Sequence, residues 1–141
     1  MARIEWSEEL SVDHGELDEQ HKLLLLHYNQ LHESLLHDSP EEAGRTKKRV
    51  LAAMVAYALE HFEAEELYLE RLGYPESEKH RQAHRDFRHK ITAINRDVQE
   101  DRIVLSTSVL KILRNWICEH LAVEDQAYRN FAKGCRQPGT P

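Results

Sequence analysis

Two pairs of possible metal-binding residues lie close together in this chain, and each pair has helical spacing. His61 and Glu65 are four residues apart, and so are His80 and His84. Because an α-helix completes a turn in about 3.6 residues, side chains four positions apart project from the same face. Two antiparallel helices joined at a break around residues 73–75 would direct both pairs toward one point. Imidazole and carboxylate groups that converge in this way are typical of a metal site.

Apolar residues recur at steps of three and four, which is the period of helices packed in a bundle. In the first segment the series is His21, Leu24, Tyr28, Leu31 and Leu35. Three similar segments follow, and none shows the alternation of a strand. We therefore predict an all-α protein, an up-down-up-down antiparallel four-helix bundle with an N-terminal arm. The whole of residues 1–141 would form one domain, with the arm at 1–17 and a tail at 134–141.

Capping residues predict the helix limits. The expected starts are Asp18 for the first helix, Ser39-Pro40 for the second, Ser77 for the third and residues 106–108 for the fourth. Gly73, with Pro75 after it, is expected to end the second helix, and Gly134 the fourth. We expect the arm to be ordered, because Trp6 and Val12 offer apolar anchors.

Every predicted helix carries at least one possible ligand on its inward face. The candidates are His21, His61, Glu65, His80, His84, His120 and Asp125. A single histidine on such a face is more often a hydrogen-bonded core residue than a ligand. Buried carboxylates are harder to explain, because an unpaired buried charge costs on the order of several kcal/mol. One metal site would explain all the candidates together.

The spacing of the last two candidates is less regular. Asp125 follows His120 by five residues, which in an α-helix places it about 140° further round. We expect both to reach the bundle interior, but from different sides of the inward face.

Five imidazoles and two carboxylates are too many ligands for one tetrahedral zinc ion. They suit two metal ions. If both carboxylates bridge and a solvent-derived oxygen also bridges, one of two octahedral ions is left with an open position for a small molecule. Imidazole with carboxylate suits iron, while zinc and manganese stay open as alternatives on ligand type.

The ordered motifs also carry a resemblance. They are HxxL at His21, HFxxEE at His61, HxxxH at His80 and HxxxxD at His120, with Trp116 four residues before the last histidine. Together with the WSEEL and LDEQHKLL opening and the GYP turn, they resemble the hemerythrin family, and its bacterial branch most closely. The likeness extends over residues 6–131.

The resemblance implies reversible dioxygen binding at a centre of two iron ions (Fe2+/Fe3+) with a bridging oxo or hydroxo group. It implies His80, His84 and His120 on the coordinatively full iron, His21 and His61 on the iron with the vacancy, and Glu65 and Asp125 as bridges. It also implies an apolar oxygen pocket, for which Leu24, Phe62, Trp116, Ile117 and Leu121 are placed beside the ligands.

Two roles are compatible with such a centre: an oxygen carrier, store or supply, and an oxygen or redox sensor that acts through an unknown partner protein. We do not expect an enzyme. Di-iron bundles that activate oxygen use four carboxylates with Glu-x-x-His pairs, and this chain lacks that pair. Metal storage is disfavoured because the ligands fill one finite site.

Composition limits the partners and the cellular location that we expect for the protein. The formal net charge of -6 argues against a nucleic-acid partner, which requires a basic surface. The longest apolar run, residues 50–59, is far too short to span a membrane. No targeting segment is visible, so we expect a cytoplasmic protein.

Cys118 is expected to pack in the core. The remaining central histidines, His27, His32, His37 and His89, are expected at the surface.

Overall fold

The computed structural model describes residues 3–37 and 39–136, and within them it contains helices and no strand. After a short 3-10 turn at Glu8–Leu10, the helices are α1 (Gly15–His37), α2 (Pro40–Leu72), α3 (Ser77–Gln99), α4 (Thr107–Glu119) and α5 (Asp125–Arg136). A π-helical turn, His120–Glu124, joins α4 to α5, so that these two form one rod. The predicted all-α four-helix bundle is confirmed.

The limits of α2 agree with the predicted caps. The Ser39 side chain accepts a hydrogen bond from the backbone N–H of Glu42 at 3.2 Å, and Pro40 is the first helical residue. Gly73 ends the helix with φ of 72°, a left-handed conformation that glycine adopts without strain. Ser106 likewise caps α4, since its side chain accepts from the backbone N–H of Val109.

Three predicted limits were wrong. Helix α1 begins at Gly15, so Asp18 lies inside its first turn. The Asp18 carboxylate instead accepts from Ser11 Oγ at 2.6 Å and from the Val12 N–H at 2.8 Å. Ser77 is the first residue of α3, so the cap position falls one residue earlier. Gly134 does not end the last helix, which continues to residue 136. Of the predicted tail, residues 137–141 lie outside the described residues.

The described part of the arm, from residue 3 onward, is ordered as predicted and packs along the bundle. Val12 is fully buried, and Trp6 packs on the core with the Lys22 ammonium 5.1 Å from its ring centre. Asn29 fixes the start of the arm, because its side chain exchanges hydrogen bonds of 2.9 Å with both the N–H and the carbonyl of Ile4.

Two hydrophobic clusters fill the bundle. The larger one includes buried apolar residues of α1, α2, α3 and α4, with Cys118 packed against it as predicted. The smaller one comprises Val12, Leu17, Leu69 and Tyr128. Both reach the candidate ligands: Phe62 of the larger cluster stacks on His84, and Tyr128 of the smaller one contacts Glu65.

One surface prediction was wrong. His32 is only 8% exposed and stacks on Tyr28, with ring centres 6.4 Å apart. His27 is half-buried against Tyr57, while His89 is exposed as predicted. The side chain of His37 lies outside the described part of the chain. None of the helices within the described ranges is long and apolar enough to cross a membrane.

Candidate metal centre

All the predicted ligands are buried at one level of the bundle. The exposed fraction does not exceed 5% for any of His21, His61, Glu65, His80, His84, His120 and Asp125. The helical spacing accounts for this arrangement. On α2 and α3 the paired residues are four apart and share one inward face, and α1 and the α4–α5 rod supply the rest.

Glu65 lies at the centre of the group. Its Oε1 is 2.7 Å from Nε2 of His80, 3.0 Å from Nε2 of His84 and 3.3 Å from Nε2 of His120. Its Oε2 is 3.1 Å from Nε2 of His21 and 3.4 Å from Nε2 of His61. One carboxylate oxygen therefore faces three imidazoles and the other faces two.

This division defines two sets of donors that share Glu65. We call Glu65, His80, His84 and His120 the three-histidine position, and His21, His61 and Glu65 the two-histidine position. In each set the donor atoms lie within 4.8 Å of one another, which is close enough for all of them to bind one ion.

Asp125 is a second carboxylate that reaches both positions. Its Oδ1 is 3.2 Å from Nε2 of His80 and 3.1 Å from Nε2 of His120, and its Oδ2 is 3.3 Å from Nε2 of His21. Glu65 and Asp125 thus both have the geometry of bridging groups.

The π-helical turn explains how residues five apart share one face. The backbone N–H of Asp125 donates to the carbonyl of His120, which is the i to i+5 bond of a π-helix. In an uninterrupted α-helix Asp125 would point about 140° away from His120. The wider turn returns both side chains to the interior. Such turns are frequent at functional sites.

The hydrogen bonds of two rings indicate which of their nitrogens faces the centre. Nδ1 of His84 faces Glu66 at 3.0 Å, and Nδ1 of His120 faces Glu124 at 2.7 Å. Carboxylates only accept, so in each neutral ring the proton is on Nδ1 and Nε2 is bare. These two Nε2 atoms are 3.0 Å apart. Two bare nitrogens at that distance repel each other unless a proton or a metal ion lies between or beside them.

Unsatisfied polar atoms support the same conclusion. Nε2 of His61 and both carboxylate oxygens of Asp125 are buried. Each lies 3.1–3.4 Å from an atom of another candidate ligand, yet none of them forms a hydrogen bond of good geometry within the described part of the chain. Buried polar atoms without partners are rare in folded proteins, and an ion that they coordinate accounts for them. The residues present therefore fit a metal centre, and their imidazole and carboxylate donors suit iron, zinc or manganese.

In the metal-free protein, protons take the place of the cations. Burial disfavours a charged His120, but Asp125, Glu124 and Glu65 outweigh it and raise its pKa to about 10. Burial acts in the same way on His80, and Asp125 and Glu65 raise its pKa to about 9. Burial would raise the pKa of Glu65, yet the surrounding imidazoles hold it well below its usual value. Burial lowers the pKa of His61.

We expect the metal-free protein to lose stability as the pH rises from 6.5 to 10. The folded-state pKa values of His80 and His120 lie above 6.5, so their stabilising effect is complete below pH 6.5 and disappears above about 9 and 10. One pKa unit corresponds to about 1.4 kcal/mol, so His80 alone contributes on the order of 3 kcal/mol. Urea unfolding at each pH measures the change. The lowered pKa of His61 affects stability only below pH 6.5.

The metal-loaded protein provides the control for this experiment. Bound ions require deprotonated imidazoles, so its stability should not show the same decline. Identical profiles for the metal-free and the loaded protein would contradict the expected proton occupancy.

Tyr128 is a site residue that the sequence analysis missed. Its hydroxyl donates to Glu65 Oε2 at 3.0 Å, and the side chain is fully buried. Burial, with Glu65 and Asp125 nearby, raises its pKa well above 10, so it remains a donor. It follows Asp125 by three residues and so shares its helical face, a spacing that would have identified it.

The sequence analysis also missed three residues that hydrogen-bond candidate ligands from outside the two donor sets, which we call the outer partners: Gln20, Glu66 and Glu124. Each hydrogen-bonds the Nδ1 of a candidate ligand, and each is the sequence neighbour of a candidate ligand. Burial raises the pKa of Glu66, but the hydrogen bond from His84 outweighs it, and the net pKa is lowered. The hydrogen bond from His120 lowers the pKa of Glu124. The sequence did offer signals for these residues besides adjacency to a ligand. Gln20 and Glu66 stand within the LDEQHKLL and HFxxEE motifs, and Glu124 follows His120 by four residues, about one helical turn.

The residues of the expected oxygen pocket lie in or against the larger hydrophobic cluster. Leu24, Phe62, Ile117 and Leu121 are buried, and Trp116 is partly buried. The Phe62 ring stacks on His84 with centres 4.1 Å apart, and the Trp116 ring stacks on His120 at 4.4 Å. Aromatic faces thus fix two of the candidate ligands and shield them from water.

A family sequence model described as the Hemerythrin HHE cation binding domain matches residues 13–132 of the chain. A bacteriohemerythrin of Stenotrophomonas maltophilia is 26% identical over 133 residues, which are 94% of this chain and 84% of that protein. A bacteriohemerythrin of Methylococcus capsulatus is also 26% identical over 133 residues, 91% of this chain and 95% of that protein. A crystal structure of wild-type hemerythrin is similar in fold, with a TM-score of 0.79 at 22% identity over 92% of this chain and 97% of that one.

Proposed function

The chain belongs to the hemerythrin family, and from that premise we propose that it binds dioxygen reversibly at a non-haem di-iron centre, as a carrier, store or local supply. The observation that carries the proposal is the pair of donor sets that share Glu65, all of them buried. One set has three imidazoles and the other has two, so the two positions are not equivalent and the poorer one retains room for a small ligand.

We propose the following roles for the residues. His80, His84 and His120 would hold one iron ion, His21 and His61 would hold the other, and Glu65 and Asp125 would bridge them. A pair of ferrous ions, with a bridging oxo or hydroxo group, would supply the electrons with which dioxygen is bound.

The protein around the ions would control water and protons. Leu24, Phe62, Ile117 and Leu121 offer no proton and leave little room for water, as a dry site requires. Tyr128 is the exception among the neighbours, because its hydroxyl is directed at Glu65. We propose that this bond fixes the bridging carboxylate and keeps its own proton away from the bound ligand.

A role in oxygen carriage rather than oxygen activation follows from the donor set. Enzymes that activate oxygen in such bundles use four carboxylates, whereas here imidazoles outnumber carboxylates by five to two. A centre rich in neutral ligands is less suited to stabilise highly oxidised iron, so we propose binding without turnover.

The test combines metal analysis with oxygen exposure. We expect two iron ions per chain, and an absorption band that forms when the reduced protein meets oxygen and disappears on degassing. Fewer than two ions per chain would contradict the di-iron centre. Rapid oxidation without a reversible band would contradict carriage and favour a sensor that acts through a partner. Turnover with peroxide or ferrous iron would favour an enzyme.

A further inference from the structure

The outer hydrogen-bond partners of the candidate ligands are charged on one side of the centre. At the three-histidine position, His84 Nδ1 donates to Glu66 and His120 Nδ1 donates to Glu124, over 3.0 and 2.7 Å. Both acceptors are carboxylates. A carboxylate on the far nitrogen of an imidazole fixes its tautomer and makes the metal-facing nitrogen more basic.

The corresponding partner on the other side is neutral. At the two-histidine position, His61 Nδ1 lies 2.6 Å from the amide oxygen of Gln20. An amide can orient the ring and fix its tautomer, but it adds no charge. Nδ1 of His21, the second imidazole here, is buried and forms no hydrogen bond among the described residues. The two positions therefore differ in the charge behind their ligands as well as in the number of imidazoles.

The two carboxylates are not equivalent to each other. Arg81 Nε lies 3.2 Å from Glu66 Oε1 and draws part of its charge away from His84. The bond from His120 to Glu124 is also the shorter of the two. Of the two acceptors, Glu124 should therefore have the larger effect on the ring that it contacts.

We propose that Glu66 and Glu124 on one side, and Gln20 on the other, set unequal metal affinities. The three-histidine position fills first and holds its ion more tightly, and the two-histidine position loses its ion first. The three are positioning residues, because they act through His84, His120 and His61. This inference rests on the proposed two-metal centre and deepens it by assigning the order in which the ions are bound.

The test is a titration of the metal-free protein with Co(II), whose absorption reports each binding step. We expect two steps per chain, the tighter one first. Glu124→Gln should weaken the first step by about tenfold or more and leave the second unchanged. Glu66→Gln should act in the same direction, but less strongly. The glutamine oxygen still accepts the Nδ1 proton, so a merely structural role predicts no change in affinity.

The opposite substitution tests the other side. Gln20→Glu should tighten the second step by about tenfold and leave the first unchanged. Glu119→Gln is the matched control, because it removes a nearby exposed charge from the same rod. It should alter neither step. Gln20→Glu also tests the inference if loss of a carboxylate should prevent folding.

The failures can be told apart. If the wild-type protein binds two Co(II) ions but Glu124→Gln and Gln20→Glu leave both steps unchanged, the graded affinity is overturned while the two-metal centre stands. The same holds if Glu119→Gln shifts the steps as strongly as Glu124→Gln. If the wild-type protein binds fewer than two ions, the proposed function itself fails.

Discussion

Replacement of Glu65 by alanine is expected to abolish the dinuclear centre. Glu65 contacts all five candidate imidazoles, so its loss removes a ligand from both positions at once. Removal of an outer partner alone typically weakens metal binding by about 10- to 100-fold. Loss of a shared direct ligand should exceed this, and the metal content should fall from two ions per chain to one or none. Metal analysis after dialysis measures the change.

The same substitution should also destabilise the metal-free protein. Glu65 compensates the buried charges on His80 and His120, whose pKa values are raised to about 9 and about 10. Removing one partner of a buried ion pair typically costs about 3–5 kcal/mol. Glu63→Ala is the control, because Glu63 is exposed on the same helix. A Glu65→Ala protein that retains two tightly bound ions would show that Glu65 is not a shared ligand.

Much of the bundle and of its donor set could be predicted because helical periodicity determines which side chains share a face. The pairs at residues 61/65 and 80/84 need only regular α-helices to point inward, and α2 and α3 are regular. The turn between them is equally local in origin, since Gly73 adopts the left-handed conformation that its position requires.

The π-helical turn could not be predicted in this way. A π-helical turn appears in the sequence only as the five-residue step from His120 to Asp125, and that spacing has several structural solutions. Which solution the chain adopts depends on the contacts that His120 and Asp125 make with other helices. Those contacts exist only in the folded protein.

Errors at other positions have a similar origin. Asp18 had the signature of a cap, and it does cap a turn, but the turn is that of Ser11 and Val12 rather than that of its own helix. Gln20 and Glu66 are polar residues of the kind expected at the surface, yet their side-chain oxygens hydrogen-bond buried imidazole rings. From the sequence alone, a polar residue next to an inward-facing ligand could face solvent or hydrogen-bond a ligand on the neighbouring helix. Only the position of that helix decides between the two.

Replacement of Phe62 by alanine is the second change with a large expected effect. Its ring is fully buried, stacks on His84 at 4.1 Å and meets Trp116 at 5.7 Å. Phenylalanine to alanine in a core typically costs about 3–5 kcal/mol, because the lost burial adds to the cavity left behind. Urea unfolding of the metal-free protein should show this loss. Because the stacked Phe62 ring also fixes the orientation of the His84 ring, metal release to a chelator should become faster.

A second cavity variant separates these two consequences. Leu110 is fully buried in the same cluster, but it lies ten residues before His120, about 15 Å along the rod. Leu110→Ala should cost about 2–5 kcal/mol and leave the rate of metal release unchanged. If both variants release metal equally fast, general loosening of the bundle explains the effect. If only Phe62→Ala does so although the two variants lose similar stability in urea unfolding, the aromatic face is part of the metal-binding structure.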